Sequence, residues 1–265
     1  MIKEIVINSI GMYIDKALQL CKEENGKFKR FNYVFRGQND EEYKLTSSLK
    51  RNYDIRSNYV EKRLLENFKK YYASTNSEIS DSIWKNMSVA QHHGIPTRFL
   101  DFSCSPLIAL HFALTDNKKN RNAVVWAINI EIVHNQLIPK KYRKKLNDYN
   151  AFSFSIEMLD ELGITIEKYN YDMKKSGFIF LEPIAVDARI TNQWSIFAIL
   201  PEKLDPLDNL LHNSKFKELA YKFIIPSNEI STMRNQLDSM GINERVLFPD
   251  IDGLASYLKR RYMSN

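Results

Sequence analysis

The sequence is sparing with the residues that mark unusual protein classes. It has two cysteines, Cys21 and Cys104, far apart and in no pair motif, so a disulfide framework is excluded and a reduced, cytoplasmic chain with buried thiols is expected. Glycine and proline number eight each, too few for a fibrous or low-complexity chain. No run approaches the roughly 18 apolar residues of a membrane-spanning helix. The opening stretch MIKEIVINSIGMYIDKALQL is broken by Lys3, Glu4, Asp15 and Lys16, unlike a signal peptide. Of five histidines, His92, His93 and His111 lack both ligand spacing and a cysteine or carboxylate framework, so no metal site is expected. Internal repeats and linkers are absent too.

What is present suits a globular unit with a sizeable core: 265 residues, 44% hydrophobic and 12% aromatic. A net charge of +6 permits an anionic partner. The densest basic run, Lys140-Lys141-Tyr142-Arg143-Lys144-Lys145, reads either as a solvated face or, with Tyr149 nearby, as a nucleic-acid contact.

Hydrophobic spacing predicts helices over 9–24, 54–73, 155–162, 227–241 and 250–262. It predicts strands over 31–37, 123–130, 177–181, 194–200 and 222–225, with 46–49 as loop and 137–150 as an irregular basic insertion. Ser227 is the expected cap of the fourth of those helices. Helices crowd the first half and strands the middle, which makes the fold class α+β in one unit over 1–265.

The most informative stretch is Asp81 to Leu114. Asp81 is placed to cap a helix carrying Ile83, Met87 and Ala90, and Gly94 and Pro96 stop it. A strand, Arg98 to Phe102, follows, and Ser105-Pro106 opens a second helix with Leu107, Leu110, Ala113 and Leu114 inward. Polar residues collect at these strand ends and helix starts, as they do at sites.

Phe35-Arg36-Gly37-Gln38, the run Ala90 to Arg98 (AQHHGIPTR), Leu100-Asp101-Phe102-Ser103, Ser105-Pro106, Ala109-Leu110 and Phe112-Ala113 together resemble the FRG domain, named for its Phe-Arg-Gly signature. The recognisable core is about 33–113, with weaker C-terminal motifs over about 189–254. The order of motifs also resembles the arginine-type ADP-ribosyltransferases: an aromatic-Arg-Gly at a strand end, a Ser-x-Ser strand leading into a helix, and a glutamate on a late strand. Phe35-Arg36-Gly37 is similar to the first and Ser103-Cys104-Ser105 to the second. Glu244, one position early and followed by Arg245, is the best candidate for the third, and Gln193 competes for that place.

That likeness implies a split, twisted sheet flanked by helices and an NAD-binding chain that transfers or hydrolyses ADP-ribose, as a toxin or phage-defence effector. Phe35, Arg36, Gly37, Gln38, Ser103 and Ser105 would bind the dinucleotide. Arg36 offers a planar fork to the diphosphate, Gly37 close backbone approach, and the two serines hydroxyls for a ribose. Arg36, Glu244, Gln193 and Asp101 would carry the chemistry, with a carboxylate (Asp101, Glu182 or Glu244) stabilising an oxocarbenium-like state. Tyr33, Phe35 or Trp194 would stack on a ring. The acceptor is a protein, a nucleic acid or water.

Plainer readings stay open beside these. Arg36 also reads as a structural ion-paired arginine, Asp101 as a partner of Arg98, Ser105 as a helix cap, and Cys104 as an inert thiol rather than a nucleophile paired with histidine. A non-enzymatic nucleic-acid-binding module and a nucleotide-sensing domain without turnover are the alternative functions.

Overall fold

In a computed structural model, residues 2–262 are described, apart from 23–25, 76–79, 117–120, 175, 186 and 205, and from the side chains of 73–75. The centre is a seven-stranded mixed sheet: β1 (Lys3–Val6), β2 (Tyr33–Gln38), β3 (Phe99–Ser103), β4 (Ala123–Asn129), β5 (Ile179–Leu181), β6 (Ser195–Ile199) and β7 (Ala220–Ile225). Their spatial order is β1-β7-β4-β2-β3-β6-β5, with β1 parallel to β7 and the other neighbours antiparallel. With helices on both faces, the fold is α+β, as the order of elements predicts.

Central strands are apolar on both sides because both faces are covered. On β4, Val124, Trp126 and Ile128 join one core, which also takes Leu100, Phe102, Phe180 and Ile196 and runs unbroken across the sheet. The opposite face is divided. Ala123, Val125 and Ala127 pack with α1 (Ile10–Leu20), Phe35 and Phe223, while Phe99, Phe197 and Ile199 pack with Trp84, Tyr142 and Tyr169. The division falls between β2 and β3.

Four further helices frame that boundary. Ser47 accepts from the Lys50 amide at 3.1 Å and starts α2 (Ser48–Tyr53), so the segment expected as loop is a helix start. A turn of 3-10 helix, with Ile55 90% exposed on it, and α3 (Ser57–Thr75) follow. The cap of α4 (Ile83–His92) is Ser82 rather than Asp81, its hydroxyl accepting from the Lys85 amide. Gly94, at φ +80°, ends it with Gly94 N–H and Ile95 N–H bonded to Gln91 and Ala90 carbonyls. Ser105 and Pro106 open α5 (Pro106–Ala113) as expected.

Other boundaries moved. The first helix ends at Leu20, and its expected end at Glu24 lies outside the described residues. Lys140–Asp148 is a regular helix with Tyr142 and Leu146 buried, not an irregular insertion. Ser227 makes no cap: it begins a 3-10 turn before the Ile230–Ser239 helix. The edge strand β1 has no counterpart in the expectations, because its partner is more than 200 residues away.

Candidate functional site

The two halves of the sheet meet at a seam. β2 and β3 share a single registered pair, Phe35 with Ser103. Continued antiparallel register would set Arg36 opposite Phe102 and Gly37 opposite Asp101. Instead β2 stays with β4 as far as Gln38, β3 stays with β6, and Arg36 spans the gap. Its Nη1 donates to the Asp101 main-chain carbonyl at 2.5 Å, with the Asp101 carboxylate 3.9 Å away. A side chain has taken over where the backbone ladder stops. Burial, joined by Arg51, lowers the Arg36 pKa against the pull of Asp101. The Arg36 Nε is buried without a hydrogen-bond partner, an unmet donor of the kind that clusters at functional positions.

Around this seam opens a cleft of about 890 Å³, walled by both halves of the sheet. Arg36, Lys44, Arg51 and Arg189 face Asp101 and Asp116 across it, an excess of two positive charges. Lys44 and Arg51 meet no carboxylate among the described residues. Phe35, Tyr43 and Phe112 supply ring surface. The Asp101 side chain is 59% exposed. It accepts from Gln91 Nε2 at 3.0 Å, and Gln91 Oε1 in turn accepts from Thr97 Oγ1 at 2.6 Å, so the amide at the end of α4 is fixed in one orientation.

Six of the expected site residues wall the cleft besides Arg36: Phe35, Gly37, Gln38, Asp101, Ser103 and Gln193. Several are already committed to the fold. A Cβ at Gly37 would lie 1.9 Å from the Ala109 carbonyl oxygen and 2.5 Å from the Ala113 nitrogen, so this glycine is required by α5 rather than by a ligand. Gln38 donates to the Lys44 carbonyl and accepts from Trp126 Nε1. Ser103 Oγ donates to the Gln193 carbonyl at 2.8 Å and accepts from the Ser105 amide at 3.0 Å, tying three chain segments together. Gln193 Nε2 donates to the Leu247 carbonyl. Ser105 caps α5 through the Ile108 amide and is not in the cleft wall.

Glu244 is not in the cleft either. Asn243 caps a short helix, Glu244–Leu247, where the resemblance required a late strand. Glu244 accepts from Arg234 at 2.5 Å and from Arg260 at 2.8 and 2.7 Å, and Arg260 also holds Asp238. Burial raises the Glu244 pKa, but the Arg260 hydrogen bonds and the Arg234 charge outweigh it and bring it to about 2. Glu244 is linked to the cleft through Arg234 Nη1, which donates to the wall residue Thr115 at 2.8 Å.

Other expectations shift likewise. The partner of Arg98 is Glu61, in a buried bidentate pair with contacts of 2.9 and 3.0 Å from Nε, and not Asp101. Tyr33 is buried with its hydroxyl on the Glu218 carbonyl, Glu182 accepts from Ser153, and neither they nor Trp194 wall the cleft. His92 pairs with Asp187 at 2.8 Å. His111 is buried, chiefly through burial its pKa falls to about 4, and its ring stays neutral. Both cysteines are half-buried free thiols, and burial, with Glu182 nearby, pushes Cys104 up to about 12, leaving it protonated. In the basic run, Lys141 pairs with Asp172, Lys144 with Asp148 and Lys145 with Glu161, so much of its charge is matched locally. No helix among the described residues is long and apolar enough to cross a membrane.

Sequence reasoning missed Lys44, Arg51 and Tyr43 as cleft residues. They sit in the β2–α2 connection and in α2, the helix whose first residues read as loop. Gln91, Phe112 and Arg189 stand inside the quoted motifs, which was the available signal. Compared with known families, residues 31–122 match the model of the FRG domain. No curated protein and no solved structure shows significant similarity to the chain.

Proposed function

Starting from a chain whose residues 31–122 are an FRG domain, we propose that it binds NAD or a related nucleotide in the seam cleft and cleaves the bond between ribose and nicotinamide. ADP-ribose then passes to water or to an acceptor. The carrying observation is the Arg36 seam, with its excess of cations facing a cavity that both halves of the sheet build. A volume of about 890 Å³ suits a dinucleotide. Lys44, Arg51 and Arg189 offer the diphosphate charge-assisted contacts, and Tyr43 or Phe112 a ring face.

Bond cleavage sends the C–N electron pair onto the nicotinamide nitrogen and leaves positive charge on the ribose. In this reading Asp101, whose carboxylate accepts from Gln91 and lies 3.9 Å from Arg36, stabilises that charge. Water attack then forms the new C–O bond and releases a proton. The split sheet with an arginine on one lip supports an ADP-ribosyltransferase-like reading of the architecture, and the toxin or phage-defence role follows by analogy with that superfamily.

A second reading, a nucleotide sensor without turnover, is favoured by one observation: Glu244 is locked in ion pairs and Asp101 is largely in water. Incubation with NAD and quantification of free nicotinamide separates the two. The enzyme reading predicts release that falls about 100-fold in Asp101→Asn while NAD still binds. Binding with no release in the wild type establishes the sensor, and absence of binding refutes both.

A further inference from the structure

Outside the cleft wall, three large aromatic side chains stand partly in solvent against one another. Phe31 and Phe152 stack at 5.2 Å between ring centroids with 17° between planes, and Trp194 sits 6.3 Å from Phe31. They are 37%, 41% and 55% exposed. Burial does not explain their placement.

The backbone adds an independent observation. Among the described residues six non-glycine positions have positive φ, and four of them are Asp, Asn or Lys. The other two are Phe31, at +62°, and Trp194, at +46°. A bulky residue in the left-handed region is strained, and such strain persists where the surroundings over-determine it. Here both strained aromatics belong to one exposed cluster. Phe152 is anchored from beneath: its carbonyl accepts from His134 Nδ1 at 3.0 Å, while His134 Nε2 accepts from the Phe180 amide at 3.1 Å.

The flanking charge chooses the partner. Phe31 ends the run Lys27-Phe28-Lys29-Arg30-Phe31, in which cations alternate with aromatics and Phe28 is also exposed. Lys29 pairs with Glu131, whereas Arg30 is exposed with no carboxylate partner among the described residues. Exposed rings beside the exposed Arg30, on a chain of net charge +6, match an alternating ladder of bases and phosphates. We propose that Phe31, Phe152 and Trp194 form a stacking platform for single-stranded nucleic acid, with Arg30 contacting its phosphates. This surface is distinct from the basic Lys140–Lys145 helix, and none of its residues walls the cleft.

The test exploits the tryptophans. Trp84 and Trp126 are buried, so quenching of intrinsic fluorescence by an added oligonucleotide reports Trp194. Titration with short oligouridylate and oligothymidylate should give saturable quenching, and duplex DNA should give much less. Phe31→Gly removes one ring and relieves the positive φ. It should keep or raise the melting temperature and weaken binding about tenfold. Arg30→Gln should make the salt dependence shallower by about one phosphate contact. Preference for one of the two oligonucleotides would identify RNA or DNA as the partner. Absence of quenching at low salt, or folded Phe31→Gly and Trp194→Gly variants that bind labelled oligonucleotide as tightly as wild type by anisotropy, overturns the proposal.

Discussion

Arg36 on β2 hydrogen-bonds the main-chain carbonyl of Asp101 on β3, and this contact joins the two sheet halves beyond their single backbone pair. The same guanidinium faces the cleft, so the brace of the fold and the centre of the candidate site are one residue.

Removing the brace should therefore cost stability as well as ligand. A hydrogen bond from a charged donor contributes about 1.5–3 kcal/mol, so Arg36→Ala should lose about that much in urea unfolding. Arg36→Lys should recover part of the stability and little of the nucleotide affinity, since an ammonium cannot reproduce the fork. Unchanged stability in Arg36→Ala would remove the bracing role.

Gly37→Ala and Gly94→Ala make a discriminating pair. The first drives a methyl into the α5 backbone and should prevent folding or lower stability by several kcal/mol. The second meets nothing within 4 Å but keeps a φ of +80°, so about 1–2 kcal/mol is expected. Melting temperatures of both variants check this, and equal effects would contradict it.

The buried Arg98–Glu61 pair anchors the first residues of β3 to α3, and Arg98 Nη1 also reaches Asn170 at 2.7 Å. Glu61→Ala would leave an uncompensated buried charge and should cost about 3–5 kcal/mol. Replacing both members with apolar residues of similar size should cost much less, as a double-mutant cycle would show.

Acid should weaken the fold in two stages. Burial holds the pKa of both His111 and His134 at about 4, with Arg234 and Arg260 adding to the shift at His111. Their neutral forms stabilise the fold fully above the ordinary value of about 6.5, and that contribution is lost as pH falls from there through 4. Glu244 is depressed to about 2, so its contribution is present above about 4.5 and fades below it. Urea midpoints measured against pH should fall through both windows. Glu244→Gln should flatten the lower one and, by removing a carboxylate that raises the His111 pKa, deepen the upper one.

Local chemistry made parts of this architecture readable in advance. Ser105-Pro106 and Gly94 act within one turn of themselves, and the β4 run is apolar throughout because both its faces are covered. The Lys140–Asp148 helix escaped notice because only Tyr142 and Leu146 turn inward and its cations mask the period. Parallel pairing of β1 with β7 leaves no short-range mark at all. At the site, Arg36, Asp101, Ser103 and Gln193 share one cleft wall because they lie on strands and at strand ends. Glu244 lies outside that wall, since the Asn243 cap bends its segment into a helix that turns the carboxylate to Arg234 and Arg260. Lys44 and Arg51 flank the 46–49 stretch that reads as loop, and only the fold lays them against the seam.

The central claim is that the seam cleft takes a nucleotide through its cations. Calorimetric titration of NAD and ADP-ribose into wild type and into a Lys44→Gln, Arg51→Gln double variant tests it most directly, because neither side chain is tied into the fold by an ion pair among the described residues. The account predicts saturable binding to the wild type and at least tenfold weaker binding to a variant with an unchanged melting temperature. Absence of binding to the wild type, or equal affinity in the two proteins, would contradict it.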